Sequence, residues 1–218
     1  MCTVVVAAQV FAEHPLVVIA NRDEDLDRAS SPPHLWTAST TASEHGSGGP
    51  FVAPRDDVAG GTWLGVNRAG VFVGITNRYL GPKDPARVSR GTHVAQLTLG
   101  RGVHALTERS FGAGDDTRRL AHIRAAWSRL APSATLDLER LSSLLTEHDE
   151  HDLLAATCIH VPGIRYGTRS GAAIALAADP HAGASRSRML WAEGPPCTTP
   201  FVPVDLSALD VPGPVKTV

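Results

Sequence analysis

The stretch MCTVVVAAQVFAEHPLVVIANRDE, residues 1–24, contains two apolar runs joined by a short polar connection. Thr3 to Val10 is β-branched and continuously apolar, which is typical of a strand that is buried on both faces. Leu16 to Ala20 has the same character, and the short connection predicts that the two strands pair antiparallel. This hairpin brings the polar sequence NRDE, residues 21–24, back to the neighbourhood of the N-terminus.

Composition limits the classes of protein that this chain can represent. It has 218 residues, of which 43% are hydrophobic and 19% charged, and these values indicate a globular chain with a substantial core. The net charge of −2 and the 5% aromatic content argue against a nucleic-acid partner. Three scattered cysteines fit a reducing compartment. No apolar stretch is long enough to span a membrane and no signal peptide is recognisable, so we expect a cytoplasmic protein without membrane insertion.

The next part of the chain predicts a loop followed by a second hairpin. Residues 25–60 are rich in Ser, Thr, Pro and Gly, which predicts a long loop or a lid over a pocket. Residues 60–67 and 71–78 alternate small and large side chains around a turn at Asn67 to Gly70. Asn77, like Asn21, is then a polar residue at the far end of a strand.

The remaining elements complete a mixed pattern. Alternation predicts a strand at 102–108, and helical spacing of apolar residues predicts helices that run to Pro132 and over 136–147. Further strands are predicted at 155–161, 172–178 and 189–193, and the last of these precedes a loose, Pro-containing tail over 202–218. Antiparallel strands segregated from helices indicate an α+β fold, with a sheet sandwich covered by helices and one domain over 1–201.

Cys2 is the first candidate for chemistry. Removal of Met1 would place a thiol and a free α-amine on one residue, with ordinary pKa values of about 8.5 and about 7.7–8.0. The amine could then accept the thiol proton, which is how an N-terminal nucleophile is activated. Asp23 could orient the amine, and Arg22 could bind a substrate carboxylate or steady Asp23. The alternative is a salt-bridged turn with no catalytic role.

Other candidates accompany this cysteine. Asn21 is a candidate substrate-binding residue beside Arg22, and Asn77 could donate to an oxyanion, although Asn is also a common turn residue. Arg169 could bind an anion or could be a solvated hairpin residue. His148 and His151 could share a helix face, but an exposed polar helix end is favoured over a metal site and no metal is predicted. Cys158 is interpreted as a core residue, and Cys197 has no visible partner.

The chain resembles the NRDE family, also called the transport and Golgi organisation protein 2 family. The resemblance is carried by MCT (1–3), NRDE (21–24), GGTWLGVN (60–67), TNR (76–78), SRG (89–91) and YGTR (166–169). It implies a relation to N-terminal nucleophile (Ntn) hydrolases with a four-layer αββα fold. The start of the chain is also similar to the cysteine hydrolases of the bile salt hydrolase and penicillin V acylase group. By position, that likeness implies the catalytic residues Cys2, Asp23 and Asn77.

The sequence departs from this pattern at two places. The cysteine hydrolases usually carry an Arg three residues before their Asp, and Ala20 occupies that position here. Few residues lie between about Val94 and Gly102, so we expect the second sheet of the sandwich to be reduced.

Two functions follow as hypotheses. The first is an Ntn-type cysteine amidohydrolase that needs no cofactor and acts on a non-peptide C–N amide bond of a small molecule. The second is a non-catalytic carrier of haem or an acyl lipid in the same pocket, with Cys2 or a histidine as an axial ligand of the haem. The family's links to secretory organisation, lipid homeostasis and haem movement motivate this second reading. An interaction protein that uses residues 25–60 is a third, and a homo-oligomer is compatible with all three.

Overall fold

The first two strands form the hairpin that the sequence predicts. In the computed structural model, which describes residues 2–37, 49–76, 101–107, 117–131, 135–178 and 186–210, β1 is Cys2–Ala8 and β2 is Leu16–Asp25. The two strands pair antiparallel from Cys2 opposite Arg22 to Ala8 opposite Leu16. Both runs are apolar throughout because both of their faces are buried.

Two hydrophobic clusters account for this double burial. Val4, Val18 and Ala20 pack between the two sheets of the molecule, with residues of the second sheet such as Val52 and Val66. The intervening strand residues, such as Val5 and Ile19, pack against the helices. Because the side chains of a strand alternate between its two faces, successive residues of β2 face the second sheet and the helices in turn.

The first sheet is built on β2. Its strand order is β11–β10–β9–β2–β1–β7, with β8 paired to β9, and the pairings are antiparallel. The strands beyond the hairpin are β7 (Gly102–Leu106), β8 (His160–Val161), β9 (Tyr166–Leu176), β10 (Arg188–Ala192) and β11 (Val202–Pro203). A register shift between Arg22 and Asp23 marks a bulge in the pairing of β2 with β9.

The second sheet corrects the loop prediction for residues 25–60. This interval contains β3 (Ser30–Trp36) and β4 (Phe51–Asp56), which join β5 (Leu64–Asn67) and β6 (Phe72–Gly74) in the order β3–β4–β5–β6. The sequence does not predict β3 because this strand contains Pro32 and Pro33, and proline lacks the N–H that a sheet needs. They fall where the register shifts between Ser31 and His34, so the ladder needs no donor from them. The β5–β6 pairing confirms the predicted second hairpin.

The described helices pack on the outer face of the first sheet. The first, α1 (Thr117–Leu130), agrees with the prediction, whereas the helix predicted over 136–147 is divided into α2 (Leu138–Ser142) and a 3₁₀ segment, Ser143–Thr146. Asp137 caps α2, because its carboxylate accepts a hydrogen bond from the Arg140 N–H at 2.8 Å. The fold is therefore mixed α+β, with two antiparallel sheets and, in the described part of the chain, one helical layer.

Three C-terminal predictions need correction. Of the strand predicted over 155–161, only β8 forms, because the preceding backbone bonds to the end of the helical segment: Cys158 N–H donates to the Glu147 carbonyl at 3.0 Å. The strand predicted at 172–178 begins earlier, at Tyr166. β10 is not the last strand, since β11 follows it and a 3₁₀ turn spans Ser207–Asp210 within the predicted tail. No described helix is both long and apolar enough to cross a membrane.

Candidate functional site

Cys2 and Arg22 are opposite each other in the β1–β2 register and share the face that points towards the second sheet. Both are buried, with 6% and 5% of their surfaces exposed. They line a narrow pocket between the sheets, whose walls include Val4, Trp63, Phe72 and Trp191. The hairpin thus places a thiol and a guanidinium side by side at the end of a mostly apolar pocket.

Arg22 is held by contacts on two sides. Its Nη2 donates to Asp56 Oδ2 at 3.3 Å, and its guanidinium carbon lies 4.1 Å from the ring centroid of Trp63. Burial lowers the pKa of Arg22, and the nearby charges of Asp56, Glu24 and Cys2 act in the opposite direction. Its Nη1 is buried and has no hydrogen-bond partner in the described structure. A donor of this kind is available to a ligand.

Asp56 anchors Arg22 from the second sheet. Its Oδ2 also accepts from Arg28 Nε at 2.8 Å, and its Oδ1 accepts from the Val58 and Ala59 backbone N–H groups, each at 3.1 Å. Burial acts to raise the pKa of Asp56, but the hydrogen bonds from Arg28 and Ala59, with the charges of Arg28 and Arg22, hold that pKa below its ordinary value. Asp56 is therefore an anion that orients Arg22.

Asp23 lies one residue further along β2, and its carboxylate is on the opposite, helix-facing side. Thr168 Oγ1 donates to Asp23 Oδ1 at 2.6 Å, and Arg119 Nη2 of α1 lies 3.5 Å from Asp23 Oδ2. Both charged side chains are fully buried. The Asp23 carboxylate therefore contacts the helical layer, whereas Cys2 and Arg22 line the pocket on the other face.

Asn21 also turns its side chain to the helices. Its Nδ2 donates to the carbonyl oxygens of Leu145 at 2.9 Å and Thr157 at 2.7 Å. These bonds join β2 to the 3₁₀ segment and to the chain before β8. Asn21 is also among the residues that line the Cys2 pocket, but the hydrogen bonds of its amide N–H are structural, and its role in substrate binding stays a prediction.

The last two predicted site residues have different outcomes. Arg169 lies where β9 bulges, and its Nη2 donates to the Arg28 carbonyl at 3.3 Å. Arg169 is not among the residues that line the Cys2 pocket. Asn77 lies outside the described residues, so its place relative to Cys2 stays a prediction.

The sequence did not single out three residues that build this region. Trp63 forms a wall of the pocket and stacks on Arg22, and the GGTWLGVN motif that contains it was a signal for its importance. Thr168 belongs to the YGTR motif. Arg119 lies 96 positions after Asp23, on a helix with no local feature that indicates a charged partner.

His148 lies in a second group of side chains, which does not include His151. His151 is exposed, and its backbone N–H donates to Asp149. His148 instead lies with Cys158, His160 and Cys197. Cys158 is fully buried, as a core residue would be, but Cys197 does have neighbours. Burial raises the pKa of the Cys158 thiol and lowers that of the His160 imidazole, so both groups are neutral near pH 7.

Comparison with known proteins finds a family likeness in the N-terminal part of the chain. None of the curated proteins compared with the chain matches it. The family model for Transport and Golgi organisation 2 matches residues 1–102, which carry Cys2, Arg22 and Asp23, the Trp63 wall and the whole second sheet. This match agrees with the resemblance that the sequence motifs indicate. Residues 1–102 of the chain are therefore similar to the Transport and Golgi organisation 2 family.

Proposed function

We propose that the protein is an Ntn-type cysteine hydrolase that cleaves a non-peptide C–N amide bond of a small molecule. The observation that carries this proposal is the position of the Cys2 thiol, at the N-terminal end of β1 and beside the buried Arg22 in a narrow pocket. The arrangement of two antiparallel sheets with helices outside is consistent with an Ntn-like sandwich.

The reaction begins once Met1 has been removed. The α-amine of Cys2 takes the thiol proton, and the thiolate attacks the carbonyl carbon of the amide. The tetrahedral intermediate collapses, the C–N bond breaks, and the leaving amine takes the proton from the α-ammonium. Water then attacks the thioester, releasing a carboxylic acid and restoring the thiol. No oxidant or reductant is required.

Arg22 supports the two charged species in this sequence. A cation beside a thiol favours its thiolate form, and the Arg22 charge acts on Cys2 from the opposite strand. The Nη1 donor could also bind the oxyanion or a substrate carboxylate. Arg22 would then supply the guanidinium that the cysteine hydrolases usually carry three residues before their Asp, where this chain has Ala20.

Asp23 and Asn77 have supporting roles in this proposal. Asp23 orients the α-amine, as the resemblance implies, and its carboxylate is held by Thr168 and Arg119. Asn77 supplies a second donor to the oxyanion, as the resemblance implies. The apolar walls formed by Val4, Trp63, Phe72 and Trp191 favour a substrate with an apolar acyl group.

Intact mass before and after treatment with a small thiol-reactive electrophile, followed by peptide mapping, tests the proposal. We expect the protein as isolated from cells to lack Met1 and to carry one rapid adduct, at Cys2. Cys2→Ala should lose this adduct, whereas Cys197→Ser should retain it. Retention of Met1, or slow labelling of Cys2 while the other thiols react rapidly, would contradict the catalytic reading.

The same apolar walls favour a second candidate, a carrier of a hydrophobic molecule. In that case the pocket binds haem or an acyl chain without cleaving it, and Cys2 is an axial ligand for haem. Titrations of wild type and Cys2→Ala with haemin and with a fluorescent fatty acid separate the candidates. A Soret shift that is lost in Cys2→Ala would support the haem carrier. Absence of binding by both probes would contradict the carrier reading.

A further inference from the structure

Four potential metal ligands converge where the chain around β8 meets the turn after β10. His148 follows the 3₁₀ segment, Cys158 and His160 lie at the entrance to β8, and Cys197 lies in the turn between β10 and β11. Each residue offers one ligand atom, and the four atoms all lie within 4.8 Å of one another. The cluster consists of two thiols and two imidazoles, and it is separate from the Cys2 pocket.

The distances within this cluster are those of a compact coordination site. Cys158 Sγ lies 3.5 Å from His160 Nε2, and His160 Nε2 lies 3.2 Å from Cys197 Sγ. Zinc–sulfur bonds of about 2.3 Å and zinc–nitrogen bonds of about 2.0 Å give ligand–ligand separations of roughly 3.3–3.8 Å in a tetrahedron. Two edges of the cluster therefore already have nearly the length that tetrahedral coordination requires.

His148 has the outer hydrogen bond that is typical of a metal ligand. Its Nδ1 lies 3.0 Å from the backbone carbonyl oxygen of Cys158. The tautomer with Nδ1 protonated donates to this carbonyl and leaves the lone pair of Nε2 available to a cation. Metal-binding histidines usually donate their other N–H to a carbonyl or carboxylate, which fixes the tautomer and the ring orientation.

The backbone that carries the cluster is held in place from several sides. Thr157 Oγ1 donates to the Leu144 carbonyl at 2.5 Å, and the Thr168 N–H donates to the Ile159 carbonyl at 2.8 Å. The turn with Cys197 packs closely on β9, because a Cβ atom at Gly171 would lie only 2.6 Å from Pro196 Cγ. The protein scaffold thus determines the positions of these side chains, which lowers the entropic cost of binding a metal ion.

We propose that His148, Cys158, His160 and Cys197 bind one Zn²⁺ ion in a tetrahedral, structural site. Two thiolates and two imidazoles are a ligand set that zinc prefers over magnesium, calcium or manganese. The protein fills all four coordination positions, so no position is left for water or substrate and the site is structural. Binding releases the two thiol protons to solvent and involves no change of oxidation state.

The proposed zinc site is joined to the back of the Cys2 site by short chains of hydrogen bonds. Next to Cys158, the Thr157 carbonyl accepts from Asn21, and the Ile159 N–H donates at 2.8 Å to Thr168 Oγ1. That same hydroxyl donates to Asp23. Zinc would therefore stabilise the segment that positions Asn21 and Asp23 on the helix-facing side of β2.

Metal content of the full chain provides the first test. The protein is purified from cells under reducing conditions without chelator, and zinc is measured by inductively coupled plasma mass spectrometry. We expect about one zinc per chain, because a closed Cys₂His₂ site binds zinc tightly at neutral pH. Replacement of zinc by Co²⁺ should give the d–d absorption bands of tetrahedral coordination and a thiolate-to-metal charge-transfer band. Neither readout depends on a variant that must fold.

Variants then identify the ligands. Cys197→Ser and His148→Gln should each weaken Co²⁺ binding by more than about a hundredfold, since even outer-shell changes cost roughly 10–100-fold. The matched control is His151→Gln, which changes an exposed histidine of the same segment and should leave the affinity unchanged. Wild type and Cys197→Ser are compared by circular dichroism, so that loss of metal can be separated from loss of fold.

Three outcomes would overturn the zinc site. In the first, reduced wild-type protein contains no zinc and gives no tetrahedral Co²⁺ spectrum. In the second, Cys197→Ser retains full affinity, or His151→Gln loses as much as His148→Gln. In the third, non-reducing peptide mapping finds a Cys158–Cys197 disulfide and the reduced protein has no affinity for Co²⁺. Each of these measurements is independent of Cys2 reactivity, so the zinc site and the proposed hydrolase function can fail separately.

Discussion

The two faces of β2 differ sharply at its polar end. On the face towards the second sheet, Arg22 lines the pocket beside Cys2 and retains a buried donor without a partner in the described structure. On the face towards the helices, Asn21 and Asp23 are bound to the 3₁₀ segment, to Thr168 and to Arg119. Consecutive residues of one motif therefore occupy two different environments, one open to a ligand and the other filled by the protein.

The physical basis of this difference is the alternation of side chains along a strand. A continuous polar motif that enters a buried strand must place some of its residues on each face. The helix-facing side satisfies the Asn21 amide N–H and the Asp23 carboxylate with protein groups, although Asn21 Oδ1 has no hydrogen-bond partner in the described structure, whereas the pocket face leaves the Arg22 Nη1 donor for a ligand. The comparison predicts that helix-side substitutions act mainly on stability and pocket-side substitutions mainly on the reactivity of Cys2.

The largest expected effect is on the helix side. Arg119→Met removes one partner of a fully buried ion pair, leaves the Asp23 charge in the core and should lower the free energy of unfolding by about 3–5 kcal/mol. Urea denaturation measures the loss. The matched control is Arg118→Met. The Arg118 side chain is 61% exposed, so this substitution should change the free energy of unfolding little. Equal effects of the two substitutions would contradict a structural role for the Arg119–Asp23 pair.

A smaller loss in the free energy of unfolding is expected for Thr168→Val. This change removes the hydroxyl that donates to Asp23 and accepts from the Ile159 N–H, which should cost about 1–3 kcal/mol. Thermal or urea denaturation again gives the value, with the exposed Thr198→Val as control. Thr168→Val and Arg119→Met share Asp23 as a partner, so their effects should be non-additive. Strict additivity would indicate that Asp23 does not couple them.

Arg22→Gln should separate reactivity from stability. Asp56 keeps Arg28 as a partner, so we expect a loss of only about 1–2 kcal/mol in the free energy of unfolding. The alkylation rate of Cys2 at pH 7 should fall by about tenfold, because the thiolate loses an adjacent cation. Arg55→Gln, at an exposed position of β4, is the control. An unchanged alkylation rate in Arg22→Gln would remove the main support for Arg22 in the mechanism.

The smallest effect concerns acid pH. The pKa of Asp56 in the folded protein lies below its unfolded value of about 3.9. The stability that the Asp56 carboxylate contributes is therefore fully present above the unfolded pKa and is lost as the pH falls through the folded pKa. This contribution should be about 1 kcal/mol or less, since Asp56 is partly exposed. Urea denaturation of wild type and Asp56→Asn at pH 5 and pH 3 gives the difference. A larger stability loss on acidification in Asp56→Asn than in wild type would refute this sign.

Some of the fold could be predicted from local sequence because local physics determines it. Continuous β-branched runs with a short connection specify the β1–β2 hairpin, and Asn67 to Gly70 supplies the turn between β5 and β6. In contrast, the composition of residues 25–60 predicts a loop where β3 and β4 form, since it is that of a turn-rich segment. Their stability comes from pairing with each other and from Trp36, whose ring N–H donates to the Ala53 carbonyl at 2.9 Å. Such contacts are not visible along the chain.

The candidate site also depends on contacts that cannot be seen along the chain. The hairpin does bring the NRDE motif beside Cys2, but the sequence does not assign Arg22 and Asp23 to opposite faces with separate partners. The partners of Asp23 lie 96 and 145 positions away, at Arg119 and Thr168. The sequence predicts a polar helix end at His148, a core residue at Cys158 and a thiol without a visible partner at Cys197, and it does not single out His160. Only folding brings them within 4.8 Å of one another.

The sequence by itself determined the first hairpin, the α+β class and the likeness of residues 1–102 to a known family, because each rests on short-range patterns of apolar and polar residues. The tertiary structure decided which face each polar residue occupies, which charge neutralises Asp23 and which thiols meet which imidazoles. Those properties depend on register and on contacts between distant segments. A one-residue change of register would exchange the two faces of β2 and would point Asp23 into the pocket in place of Arg22.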